Sequence, residues 1–211
     1  MRAVRGGTGG GQKAGIMRLT RSQSRQRNRD ALIDAALVEM AERGYQQARL
    51  DDIAERAELT TGAVYSIFGS KRNLLLAVVS RYADELDGHL AELSDPRLSL
   101  SEVLTGCADA FHQVATASDA RRRFAFELEL AGLMLRDPTV LSLTTSGRLA
   151  ELFVGRRHKD GEVTHEQAEQ VAPALAALLG GLVRRAVLEP GTVDLEYFRR
   201  SALALTCLLR T

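Results

Sequence analysis

Thr60, Thr61, Gly62, Tyr65, Ser66 and Lys71 lie within one short stretch, LTTGAVYSIFGSK, and their chemistry is that of recognition rather than reaction. At about 100° per residue, Thr61, Gly62, Tyr65 and Ser66 share one arc of a helix, and Ala63, Val64, Ile67 and Phe68 share the other. The first arc holds no Lys, Arg, Asp or Glu, which sets it apart from an ordinary solvated face. Hydroxyls donate and accept hydrogen bonds, a threonine methyl can meet a thymine methyl, and small residues let a helix approach base edges in a major groove. Thr60 is the expected N-cap. Tyr65 and Lys71 flank the helix where they can reach phosphates, which set register rather than sequence preference. The plainer alternative is a small helical bundle whose third helix happens to be polar outside.

The other chemically capable residues do not assemble into a reaction centre. Glu127 and Glu129 are two apart on a helix and so diverge, which suits no shared acid–base task. His112 is isolated, His158 and His165 flank a polar loop, and none shows metal-ligand spacing. Cys107 and Cys207 are far apart and read as reduced core thiols of a cytosolic protein. GGTGGGQKAG imitates a phosphate loop, but Lys13 follows Gln12, no Ser or Thr follows it and no strand precedes it. No enzyme and no cofactor are expected. An all-helical small-molecule-binding protein or enzyme without DNA binding is the alternative from another class.

Those residues need helices to hold them, and the composition provides helices. Aromatics are 5%, prolines number four, hydrophobic residues are 45% and charged residues 26% of 211, which points to an all-α soluble chain. No apolar run is expected to span a bilayer, and no secretory signal opens the chain. The net charge of +1 conceals a polarity. Eight cations and no acid precede Asp30, which leaves −7 for the remainder, and a basic end suggests an anionic partner. Residues 1–24, rich in Gly, Arg and Ser, are expected to be a disordered basic arm, with Met17 a possible true start. Ile33, Ala36, Leu37, Met40 and Ala41 keep helical period, Gly44–Tyr45 reads as a left-handed stop, and a short helix over about 51–57 precedes the opening stretch. Ser70 caps a long helix, while Ser99/Glu102 and Thr164/Gln167 form capping boxes. Further helices are expected over about 119–136, from Asp137–Pro138 to about 153, to about 188 with Pro173 as a kink or true start, and over about 194–209. No strand pattern is present.

In the helix over 119–136, apolar residues occupy several sides around Glu127 and Glu129. A carboxylate in an apolar wall must be paired, neutral or ready for a cationic ligand. Phe111, His112, Phe124, Glu127, Met134 and Leu143 are therefore candidate pocket residues, with an ordinary core plus solvated acids as the competing reading.

Residues from Arg29 to about Tyr82 resemble the DNA-binding domain of the TetR family of bacterial transcriptional regulators. The likeness rests on AERGY, then LDDIAERAEL, then TTGAVYSIFGSKRNLLLAVV, with Tyr65, Phe68, Lys71 and Leu74 on the family's aromatic–aromatic–lysine–leucine signature. It implies an N-terminal three-helix helix-turn-helix unit over 25–70, and a larger C-terminal effector and dimerisation unit over 71–211, about nine helices in all. It implies DNA contact by Arg49, Thr60, Thr61, Gly62, Ala63, Tyr65, Ser66 and Lys71, and a homodimer on a palindromic double-stranded operator. It also implies a small-molecule effector that lowers DNA affinity, with repression the usual sense. The dimer is expected to form through Leu175, Leu178, Leu179, Leu182, Phe198, Ala202 and Leu205, with Gly180 and Gly181 allowing close approach; the competing reading is that these residues fill the chain's own core. Two positions depart from the family pattern. Arg49 replaces a capping Thr or Ser, at a cost of about 1 kcal/mol. Glu58 replaces a turn Gly and is strained by about 1 kcal/mol if left-handed.

Overall fold

The computed structural model describes residues 20–136, 146–159 and 161–209. Over these residues the chain is all-α, with nine helices: α1 (Arg21–Gln47), α2 (Leu50–Arg56), α3 (Thr61–Phe68), α4 (Lys71–Leu90), α5 (Leu100–Thr116), α6 (Ala120–Arg136), α7 (Ser146–Phe153), α8 (His165–Leu188) and α9 (Leu195–Ala204). A two-residue antiparallel ladder, β1 (Arg157–His158) with β2 (Gly161–Glu162), closes the turn before α8. That ladder corrects the expectation of no strand. It is too short for a period-two pattern to register.

The helix boundaries are written in hydroxyl caps. Thr60, Ser70, Ser99 and Thr164 each accept a backbone N–H from the first turn they precede, and Ser99/Glu102 and Thr164/Gln167 close full capping boxes. A third box, Thr20 with Gln23, starts α1 at Arg21, so residues 21–24 are helical and the expected arm gives way earlier than residue 24. The Thr-x-x-Gln signal was present in TRSQ. The helix expected from Asp137–Pro138 falls partly outside the described residues, which resume with α7 at Ser146. Pro173 lies within α8 and is not its start.

Two cores divide the chain. Leu32, Ile33, Ala36, Met40, Ile53, Val64, Leu74 and Val78 bury together, and α6 adds Phe126 and Leu133 to them. The second core joins Leu100, Val103, Leu104, Cys107, Leu149, Phe153, Leu175, Leu179 and Phe198. Burial pushes the Cys107 thiol up to about 12.

α8 is long and apolar enough to cross a membrane by length and composition, with a mean hydropathy of 1.6 over its most apolar stretch. Yet its Val171, Leu175, Leu179 and Leu182 are buried in the second core. Most of the residues expected at the dimer seam are taken up by this chain's own core. Leu175, Leu179, Leu182, Phe198 and Ala202 are buried in this chain's own core, and Leu178 and Leu205 pack partly against it. A strong apolar period marks the side facing the nearest core. The uncovered side of α8 carries Ala177, Gly180, Gly181, Arg184 and Leu188 instead.

Two joints fix the loops and the units. The Arg156 guanidinium, 6% exposed, donates to the carbonyls of Leu93 and Leu152, both at 2.8 Å, and of Leu98 and Asp95. It thereby staples the α4–α5 connection to the end of α7. Arg123 of α6 lies 2.5 Å from Glu85 of α4 and 2.8 Å from Asp119, and stacks over Tyr82 at 4.9 Å, while Arg81 of α4 reaches across to Asp34 of α1 at 3.1 Å.

Candidate nucleic-acid interface

The helix-turn-helix is built around a buried acid. Glu39 of α1, 2% exposed, receives the Arg56 guanidinium of α2 at 2.6 and 2.9 Å, and Arg43 lies at 3.3 Å. This pair sets how α2 lies on α1, while Ile53, Ala54 and Val64 fill the space between α1, α2 and α3. The turn between α2 and α3 holds Glu58 at φ 55, the only described non-glycine residue with positive φ. The strain foreseen at that position is therefore present.

α3 presents a separated pair of faces. Val64 and Phe68 are buried, whereas Gly62, Tyr65 and Ser66 are exposed, Tyr65 at 57%. A Cβ at Gly62 would meet only the Thr60 hydroxyl, at 3.7 Å, so the ridge there is open. Thr60 is spent on capping, its hydroxyl accepting the Ala63 N–H at 3.2 Å. Thr61 donates to the Asp51 carboxylate at 2.8 Å and so ties α3 to α2. Its hydroxyl is less available than the sequence suggested. Ala63 is half-buried. Arg49 stands at the N-cap of α2 with no capping bond, exposed, 3.8 Å from Asp51.

Lys71 has partners within the chain. Its ammonium sits 4.8 Å from the Tyr45 ring centre and donates to the Gln46 carbonyl at 3.2 Å, and burial lowers its pKa. It fastens the start of α4 to the end of α1. Sequence spacing could not show this, because Tyr45 and Gln46 come near only through the break in α1 at Gly44 (φ 79, ψ 155). That break leaves the Tyr45 N–H without a helical acceptor, and Glu129 of α6 accepts it at 2.9 Å.

Alongside the ridge runs a groove of about 470 Å³ between α1 and α3, lined by Arg21, Ser24, Arg25, Asn28, Ala63, Ser66 and Ile67. The α1 wall was missed in the sequence, because residues 21–24 were assigned to the disordered arm.

The expected effector residues that are described fall on α5 and α6. Phe111 packs against the second core, and His112 lies edge-on to Phe198 of α9 at 5.3 Å. Phe124 and Met134 are half-buried on α6 and Glu127 is exposed there, its carboxyl pushed up by partial desolvation. Leu143 lies outside the described residues. The buried face of α6, Phe126 and Leu133, belongs to the first core, and Glu129 is its link to α1. One alternation of apolar and acidic residues cannot say which face meets which neighbour.

A family model described as bacterial regulatory proteins, tetR family, matches residues 32–78. The transcriptional regulator BetI of Escherichia coli is 30% identical over 173 residues, covering 79% of this chain and 85% of its own length. The transcriptional regulator TtgR of Pseudomonas putida is 29% identical over 194 residues, covering 85% and 89%. The crystal structure of a TetR-like transcriptional regulator from Rhodococcus superposes with a TM-score of 0.65 at 23% identity, covering 90% of this chain and 97% of that one. With α3 exposed on a helix-turn-helix and a relative of this similarity across most of both chains, the protein belongs to the tetR family of bacterial regulatory proteins and is a DNA-binding transcriptional regulator.

Proposed function

We propose that the protein is a cytoplasmic repressor that binds a palindromic operator as a homodimer and is released by a small-molecule effector. The observation that carries the DNA half of this reading is the uncharged exposed ridge of Gly62, Tyr65 and Ser66 on a helix whose reverse side is anchored by Val64 and Phe68. Gly62 and Ser66 face the bases, Tyr65 reaches a phosphate, and Arg49 is a further cation at the rim. Lys71 acts by holding α4 against Tyr45 and Gln46.

The dimer reading is supported by α8. Its side away from the core carries Ala177, Gly180 and Gly181, where an added Cβ would meet nothing within 4 Å, so a second copy of the helix has room for close approach. The effector reading is supported by the larger helical unit over about 71–211 and by its bonded link to the reading unit through Glu129. Units 25–70 and 71–211 remain the functional division, with α6 bridging them.

The test is a gel shift with footprinting on DNA upstream of the protein's own gene. Wild type protects two half-sites about one helical turn apart. Tyr65→Ala weakens binding to all duplexes alike, with an unchanged thermal midpoint because the side chain is exposed. Ser66 substitutions change sequence preference instead. Undiminished binding by Tyr65→Ala removes the assignment of α3.

A further inference from the structure

We infer that the first two turns of α1 and the facing side of α3 form a seat for one sugar–phosphate strand, with Arg21 and Arg25 as its cations and Ser66 on the opposite wall. The inference rests on the DNA-binding reading and adds to it a surface outside the helix-turn-helix proper.

The first observation is shape. The groove between α1 and α3 has the Ala63 and Ser66 side of the reading helix as one wall, so a strand lying in it borders whatever that helix reads. Arg21 and Arg25 are four residues apart and share one face of α1. The Thr20–Gln23 capping box holds their turn helical. No acid lines the groove, while Ser24 and Asn28 provide neutral polar groups of the kind that bond phosphate oxygens.

The second observation is charge. Arg43, Arg56, Arg81, Arg123 and Arg199 each lie within 4 Å of a carboxylate. Arg21, Arg25 and Arg27 have no ion pair or hydrogen bond from their side chains among the described residues, and the first turn of α1 holds no acid. A cation in a first turn opposes the helix macrodipole. The placement works against the isolated helix and in favour of an anion brought to it from outside.

The third observation is the occupation of Lys71. Its ammonium is held by Tyr45 and Gln46, whereas Arg21 and Arg25 line the groove that Ser66 also lines.

The experiment measures binding of the full chain to a mixed-sequence duplex three helical turns long, as a function of salt. Arg21→Gln/Arg25→Gln is compared with wild type, with Arg121→Gln on the exposed side of α6 as the control, and with Tyr65→Ala. Each phosphate contact contributes about 0.9 to the slope of log affinity on log salt. The double variant therefore has a slope shallower by about 2 for each protomer engaged. For each protomer engaged, wild type loses about 12-fold more affinity than the double variant between about 50 and 200 mM salt. Its helicity and thermal midpoint are unchanged or higher, because two cations leave the positive end of a helix. A slope equal to that of wild type and of Arg121→Gln, with Tyr65→Ala still impaired, overturns this inference alone. Wild type failing to bind any duplex overturns the DNA reading and this inference with it.

Discussion

Gly44→Ala tests how the reading unit is held to the rest of the molecule. Gly44 has φ 79 and ψ 155, a region that is almost exclusively glycine's, and entering it costs a side-chain-bearing residue about 1–3 kcal/mol. The added Cβ would also lie 3.2 Å from Glu129 Oε1 and 3.3 Å from its Cδ. The flexible carboxylate can retreat cheaply, but retreat takes it off the Tyr45 N–H that it accepts at 2.9 Å. A hydrogen bond to a charged group contributes about 1.5–3 kcal/mol. Against these stands a gain of about 0.4–1 kcal/mol from the stiffer unfolded chain. The net expectation is a loss of about 2–5 kcal/mol, from the sum of these magnitudes. Urea unfolding of wild type, Gly44→Ala, Glu129→Ala and the double variant separates the two parts. In the Glu129→Ala background the bond is already gone, so adding Gly44→Ala costs only backbone strain. The cycle then shows a coupling of about 1.5–3 kcal/mol. A coupling below about 0.5 kcal/mol means that the two residues act independently, and the α6-to-α1 link as described is refuted.

Glu58→Gly relieves the φ 55 conformation in the α2–α3 turn. Relief of about 1–2 kcal/mol, less the entropy of a freer unfolded chain, leaves a stabilisation of about 0.5–1 kcal/mol, read as a raised thermal midpoint. No rise means that the turn is not strained. Cys207 is exposed and Cys107 buried, so a thiol reagent labels one cysteine in the native protein and both after denaturation. Two native thiols would contradict the packing of α5. The Cys107 thiol is raised to about 12 in the folded chain, against about 8.5 for a free thiol. Its contribution to stability is therefore complete below about pH 8.5 and is lost as pH climbs through about 12. Denaturation midpoints across that range measure the fall, and a Cys107→Ala variant should show less of it.

Caps and the two faces of α3 were legible because both are local. Thr60, Ser70, Ser99/Glu102 and Thr164/Gln167 announce helix starts within four residues, and the split between Val64/Phe68 and Gly62/Tyr65/Ser66 follows from helical period alone. Glu58 was legible as a departure at a turn. What sequence could not rank was competition among apolar faces. α8 is apolar on its core side through Leu175, Leu179 and Leu182, and small on the other, and the strong stripe lines this chain's own core. In α6, Phe126 and Leu133 turn toward α1 because that helix lies across them, a contact between residues some ninety positions apart. Lys71 illustrates the same limit, since its ammonium goes to Tyr45 and Gln46 only after α1 breaks at Gly44.

The Arg156 staple differs in kind from the contacts joining α1, α4 and α6. Its donors end on amide oxygens of the main chain, which hold no proton to gain near neutrality and attract no counterion cloud of their own. Arg123, Arg81, Glu85 and Asp34 form a partly wetted chain of opposite charges that dissolved electrolyte weakens. One molecule thus has a joint among α1, α4 and α6 that dissolved electrolyte loosens, and a rivet on main-chain oxygens that electrolyte barely touches.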